Sequence, residues 1–221
     1  MEVQLNPVEE RVLGCLIEKE MATPEYYPLT LNALTNACNQ KNNRNPVMAL
    51  DSETITRTIY ELRVEHRLAV EVSSSGSRTL KYRHCFHDHW TFSPAQMAII
   101  CELLIRGPQT PGDLRAHASR LHPFADAAEV EETLHDLGTC ESGPVVIQLE
   151  KEPGKRERRW AHLFAPLPAI GESPQEPSLP GNTVEPTRED RIQTLEKEIA
   201  ALRQELCDLK QQFEQFKTAF E

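Results

Sequence analysis

One order of elements occurs twice in this chain, and it constrains the fold more than any single motif. Three short segments with apolar residues at helical spacing are followed by two β-prone runs around a Gly-containing turn. In the first copy, Asn6 precedes Pro7, a cap followed by a residue suited to the first helical position. Val8, Val12, Leu13, Leu16 and Ile17 then form one apolar stripe over residues 7–19. Thr30 caps a second segment with Leu31, Leu34 and Ala37 inward. CNQKNNRNPV (38–47) reads as a loop, rich in Asn and holding Pro46. A third helix starts near Asp51–Ser52, with Ile55, Ile59 and Leu62 on one face. LAVEV (68–72), SSSGS (73–77) and RTLKYR (78–83) read as a β-hairpin.

The second copy opens at Ser93 and Pro94, with Met97, Ile100, Cys101 and Leu104 inward. Thr110–Pro111 start the next helix, through Leu114 and Ala118. Asp126 caps another with Val130, Leu134 and Leu137 inward. VVIQLE, the turn KEPGK and RERRWAHLF make the second hairpin. The chain is therefore expected to be mainly α with small β-hairpins, as tandem winged helix-turn-helix domains at 1–90 and 91–165. Residues 166–187, holding six prolines and no basic residue, read as a linker. Residues 188–221 read as a coiled-coil helix.

That last segment carries a strict pattern. Ile192, Leu195, Ile199, Leu202, Leu206, Leu209, Phe213, Phe216 and Phe220 alternate at spacings of three and four, an unbroken a/d seam. In a parallel pair the flanking charges match as Arg191–Glu196, Glu198–Arg203 and Glu205–Lys210. An in-register antiparallel pair would set Arg203 near Lys210. The seam predicts self-association as a parallel dimer, with larger bundles left open by its Phe-rich end. The alternative is one amphipathic helix docked on the chain's own globular part.

Composition narrows the function classes. Net charge is −10, and no segment is basic overall: residues 1–90 carry 10 Lys+Arg against 12 Asp+Glu, and residues 91–165 carry 8 against 11. Nucleic-acid binding must therefore come from local patches. No apolar run approaches a membrane span, and the start MEVQLNPVEE lacks the pattern of a signal peptide. Six scattered cysteines without a CxxC pair fit reduced thiols in a cytoplasmic protein. GxSxG, HExxH and GxGxxG are all missing, so no catalytic residue, enzyme activity or cofactor is expected. On an extended chain Cys85, His87 and His89 would face one way as zinc-type ligands. No second ligand pair supports them, and exposed polar residues at a strand end are the expectation.

The third helix of a helix-turn-helix lies in the major groove, while loops and wing touch phosphates. In the first half the face opposite the core stripe offers Thr56, Arg57 and Tyr60, beside Val64 and an opposing Glu53. The preceding loop offers Lys41, Asn42, Asn43 and Arg44, and the wing Arg78 and Lys81. In the second half the matching helix shows Glu129, Glu131, Glu132 and Asp136, which repel phosphate. Its wing is basic, through Lys151, Lys155, Arg156, Arg158 and Arg159. The plain alternative at each place is a solvated polar surface.

Several strings resemble the YceH-like family of bacterial proteins: RVLGCLIEKE (11–20), TPEYYPLTLNALTNACNQKNNRNPVM (23–48), LLIRGPQTPGDLR (103–115) and GPVVIQLEKEPGKRERRWAHLF (143–164). The resemblance covers roughly 1–165, and NQKNNRNPVM is its most recognisable part. It implies two winged helices, a coiled-coil end after a variable linker, and cytoplasmic life, but no activity. The residues at 84–89 lie outside its pattern. The combined expectation is a non-enzymatic DNA-binding regulatory protein acting as a coiled-coil homo-oligomer. The alternative is a scaffold whose winged helices bind protein rather than DNA.

Overall fold

The computed structural model describes residues 3–73, 79–140, 143–152, 154–155 and 157–167. Arg78, Arg156, most of the linker and the whole a/d seam from Ile192 to Phe220 lie outside the described residues.

Among the described residues, six α-helices start where local chemistry satisfies their first N–H groups. Helix α1 (Pro7–Ala22) has a capping box: Asn6 Oδ1 accepts from Val8 and Glu9 N–H at 2.9 and 3.0 Å, while Glu9 accepts from Asn6 N–H at 2.7 Å. Thr30 caps α2 (Leu31–Cys38) and Asp51 caps α3 (Ser52–Val64). Ser93 with Gln96 boxes α4 (Pro94–Arg106), and Thr110 with Asp113 boxes α5 (Pro111–Ala118). Asp126 caps α6 (Ala127–Gly138). Gly107, at φ 74°, closes α4 in a conformation that side chains rarely adopt. No described helix is long and apolar enough to cross a membrane.

Each group of three helices carries a small antiparallel sheet. Strands β1 (Leu29–Thr30), β2 (Ala69–Val72) and β3 (Lys81–His84) pair in the order β1-β3-β2, with Leu29 opposite Tyr82 and Glu71 opposite Tyr82 on the other side. Strands β4 (Val146–Gln148) and β5 (Trp160–His162) pair with Val146 opposite His162. An added bridge joins Gln109 to Trp160. Thus in both halves the segment before the second helix joins the hairpin's second strand. At two residues β1 is too short to show alternation, so it was not legible in the sequence.

The two halves share one core. Val12, Leu13, Leu16 and Ile17 of α1 join Ile99, Leu103 and Ile105 of α4 in a single buried cluster. Both helices are buried nearly all round, as expected of central helices rather than surface ones. Their backbones approach closely at Gly14, where an added Cβ would lie 2.8 Å from Ile105 Cγ1 and 3.1 Å from Leu104 Cβ. At the other end Leu5 N–H donates to Phe164 O at 2.6 Å. Phe86, Trp90 and Phe164 pack there with ring centroids 4.8–5.3 Å apart.

Candidate nucleic-acid interface

Helix α3 buries Ile55, Ile59 and Leu62 and turns a different set outward. Thr56 and Arg57 are exposed, Tyr60 is 58% exposed and Val64 55%. Tyr60 and Val64 are thus left open on a helix that also has a well-formed core face. The Thr56 hydroxyl donates back to Ser52 O at 2.7 Å, so only its acceptor lone pairs face outward. Among the described residues no carboxylate lies within ion-pair distance of Arg57 or Lys41. The helix is tied to its hairpin by Arg63, which donates to Glu71 on β2 at 2.7 Å. That pair also neutralises a carboxylate of the hairpin. Lys81, on β3, is half-buried.

The loop after α2 departs from its expected role. Lys41, Asn42 and Asn43 are exposed, but Arg44 is buried, at 5% exposure. Its guanidinium donates to both oxygens of Glu18, at 3.1 and 2.5 Å, and to Gln40 and Ala37 O. It is therefore withdrawn from any phosphate, because leaving Glu18 unpaired in the core is costly. Asn43, in the left-handed region at φ 58°, accepts from Arg106 Nη2 at 2.6 Å. Asn45 N–H donates to Ile105 O at 3.3 Å. The loop is a clasp between the halves, and only Lys41 and Asn42 remain wholly outward.

The clasp belongs to a charge network that the sequence reading missed. Glu18 also accepts from Arg120 at 2.5 Å, and Glu102 accepts from Arg120 at 2.7 Å and Arg106 at 3.1 Å. Glu18 and Glu102 are about as buried as the apolar core. Burial alone would raise the Glu18 carboxyl, yet hydrogen bonds and charge from Arg44 and Arg120 bring it below the ordinary carboxylate range. One signal was available: Glu102 interrupts the otherwise apolar run from Ile99 to Ile105, whereas Glu18, beside Lys19 and Glu20, carries no such mark.

In the second half, Lys151, Lys155 and Arg158 are exposed, with Arg158 donating to Gln148 at 3.3 Å. Arg159 is committed to Glu152 and is only partly exposed. On α6, Glu131, Glu132 and Asp136 face outward as expected. Glu129 does not stand free: it accepts from Ala125 N–H at 2.6 Å and lies 3.4 Å from His122 Nε2. An open cleft between the start of α1 and the end of α3 is lined by Glu9, Glu61, Glu65 and His66, a setting hostile to phosphate.

Residues 84–89 are not an extended ligand strip. β3 stops at His84 and the chain turns through a short 3₁₀ helix at Phe86–Asp88, so Cys85, His87 and His89 do not line up. Cys85 is buried, and His89 Nε2 lies 2.9 Å from Arg67 O. A different trio converges: Glu20, His84 and His87, with ligand atoms within 4.8 Å of one another. The Phe86 N–H can only donate, so His84 Nδ1 accepts from it at 3.2 Å, and the neutral ring carries its proton on Nε2. That proton points to Glu20 Oε2 at 2.5 Å, holding the Glu20 carboxyl low. A cation at Nε2 would need the proton on Nδ1, where the Phe86 N–H opposes it.

Comparison with known proteins agrees with the resemblance in the sequence. Residues 5–155 match the family described as "Protein of unknown function, DUF480". A UPF0502 protein of Geobacter sulfurreducens is 50% identical over 222 residues, covering all of both chains. One from Geobacter metallireducens is 51% identical with the same coverage. One from Aeromonas hydrophila is 45% identical over 206 residues, 90% of this chain and 91% of its own. The chain belongs to the DUF480/UPF0502 family of bacterial proteins, with which the YceH-like name is consistent.

Proposed function

We propose that the protein is a non-enzymatic, cytoplasmic DNA-binding regulator with two winged helix-turn-helix halves, held as an oligomer by its C-terminal coiled coil. The observation that carries this reading is the outward face of α3. It presents Arg57, Tyr60 and Val64 together, braced against the hairpin by Arg63–Glu71. Arg57 has the reach and donor fork to read guanine in a major groove, and Tyr60 and Val64 offer apolar contact to thymine methyl groups. Lys41, Asn42 and the β3 wing supply phosphate contacts on either side of the helix. Lys155 and Arg158 of the second hairpin extend the phosphate track, whereas α6 with its outward carboxylates stays off the DNA. A single such surface on a chain of net charge −10 binds weakly. Joining copies through the seam at Ile192–Phe220 multiplies that weak contact by effective concentration.

The test is chromatin immunoprecipitation of the tagged chain beside the double variant Lys41→Ala, Arg57→Ala. Discrete enriched sites that vanish in the variant are expected. Occupancy that the variant leaves unchanged contradicts the reading.

A scaffold reading is favoured by a different observation. Tyr26, Val47, Tyr60, Val64 and Leu80 are all large, apolar and exposed, which suits a protein partner as well as DNA. Proximity labelling that recovers one stable protein partner, with no enriched genomic site, would support it.

A further inference from the structure

We propose that Arg106 and Asn43 are positioning residues for a DNA phosphate. Arg106, from the second half, holds Asn43 and so fixes the first half's loop with Lys41 turned outward to the backbone of a duplex. The proposal rests on the DNA-binding reading above, and it adds that the first half's phosphate contact is completed by the second.

Residues 39–51 join α2 to α3, where the turn of a helix-turn-helix needs only about 3–4 residues. The longer loop is tied at its base, its inside and its far limb. Asn39 closes the base: its side chain accepts from Leu50 N–H and donates to Leu50 O, each at 2.7 Å. Inside, Arg44 donates to Ala37 O, Gln40 and Glu18. On the far limb Pro46 O accepts from Arg11 at 2.6 Å, and Asn45 N–H donates to Ile105 O at 3.3 Å. Lys41 stands at the exposed apex, and among the described residues it has no ion-pair partner.

Beside that apex the chain turns back at Asn43, in the left-handed region at φ 58°. Its Oδ1 accepts from Arg106 Nη2 at 2.6 Å, the bond that joins the apex to the end of α4. Arg106 is aimed in turn. Its Nε donates to Glu102 Oε2 at 3.1 Å, and Glu102, fully buried, is itself held by Arg120. One planar guanidinium thus holds Glu102 by one edge and Asn43 by another, which an ammonium cannot reproduce. Under the loop three guanidiniums, of Arg44, Arg106 and Arg120, meet the carboxylates of Glu18 and Glu102, so positive charge is in surplus where a phosphate would approach.

A lysine on a mobile loop loses freedom when it meets a phosphate, and that loss is subtracted from the affinity of the contact. In this loop the ordering is completed when the chain folds, and Arg106 makes it depend on the second half. Neither Arg106 nor Asn43 needs to touch DNA for this effect. Both act through Lys41.

The full-length chain is titrated onto a fluorescently labelled duplex of mixed sequence across a series of salt concentrations, since phosphate contacts do not depend on sequence. Lys41→Ala is expected to lower the salt slope by about one per bound copy. Asn43→Gly keeps the left-handed backbone and removes only the side-chain acceptor. Arg106→Lys keeps a charge beside Glu102 and removes the fork. Each is expected to weaken binding about three- to tenfold and to lower the slope as Lys41→Ala does. Combining either with Lys41→Ala is expected to add nothing further, as for residues that act through one contact. Losses that add, or a slope that both Asn43→Gly and Arg106→Lys leave at the wild-type value, overturn the positioning role and leave DNA binding standing. A wild-type chain without salt-dependent binding overturns the DNA reading, and this proposal with it.

Discussion

Glu18 takes hydrogen bonds from Arg44 and Arg120, arginines that belong to different halves of the chain. At 1% exposure it has no water to fall back on. Glu18→Gln leaves two guanidiniums short of their anion, so it is expected to cost about 3–5 kcal/mol at neutral pH, read from urea midpoints. The pH dependence has a definite sign. The folded carboxyl is held below its unfolded value of about 4.3, so its contribution is full above that pH and is lost as pH falls through the lower folded value. Below about pH 4.3 the wild type should therefore lose stability more steeply than Glu18→Gln. Equal slopes would mean that Glu18 carries no charge linkage. Residue fate was the least legible level in the sequence. NNRNP looks like a solvated loop, and only a partner 26 positions away turns Arg44 into a core residue.

Helix starts were legible because caps are local chemistry. Asn6–Pro7, Ser93–Pro94, Thr110–Pro111 and Asp126 each stand where a helix begins. The inward stripe of α3 was equally plain, since Ile55, Ile59 and Leu62 recur at helical spacing and are all buried. What periodicity did not foretell was that α1 and α4 would be covered on nearly every side, because a stripe describes one face and says nothing of a second neighbour. Gly14 records that neighbour. By helix propensity alone Gly14→Ala would add about 1 kcal/mol of stability. The contact with Ile105 and Leu104 reverses the sign, and a net loss of about 1–3 kcal/mol is expected from thermal or urea unfolding. A stabilised Gly14→Ala variant would show that the two helices do not press together there.

At the scale of the molecule, the repeated order told of two similar halves but not of their union. That union rests on non-local contacts: Gly14 against α4, Arg11 to Ile105 O, Arg120 to Glu18, and Leu5 to Phe164 O. Residues 1–90 made alone would expose the α4-facing side of α1 and leave Arg11 and Glu18 short of partners. Such a fragment is expected to lose cooperative unfolding, checked by calorimetry against residues 1–167, and a sharp two-state transition in it would contradict a shared core. The proposed function adds one more requirement, since a DNA-reading surface as modest as Arg57, Tyr60 and Lys41 would act only in multiples. The most direct measurement is selection of duplexes from a random pool by the full-length chain. The account predicts enrichment of a discrete motif in paired half-sites, lost on Arg57→Ala while the variant's unfolding midpoint stays within about 0.5 kcal/mol of wild type. A pool that emerges without any enriched sequence would contradict it.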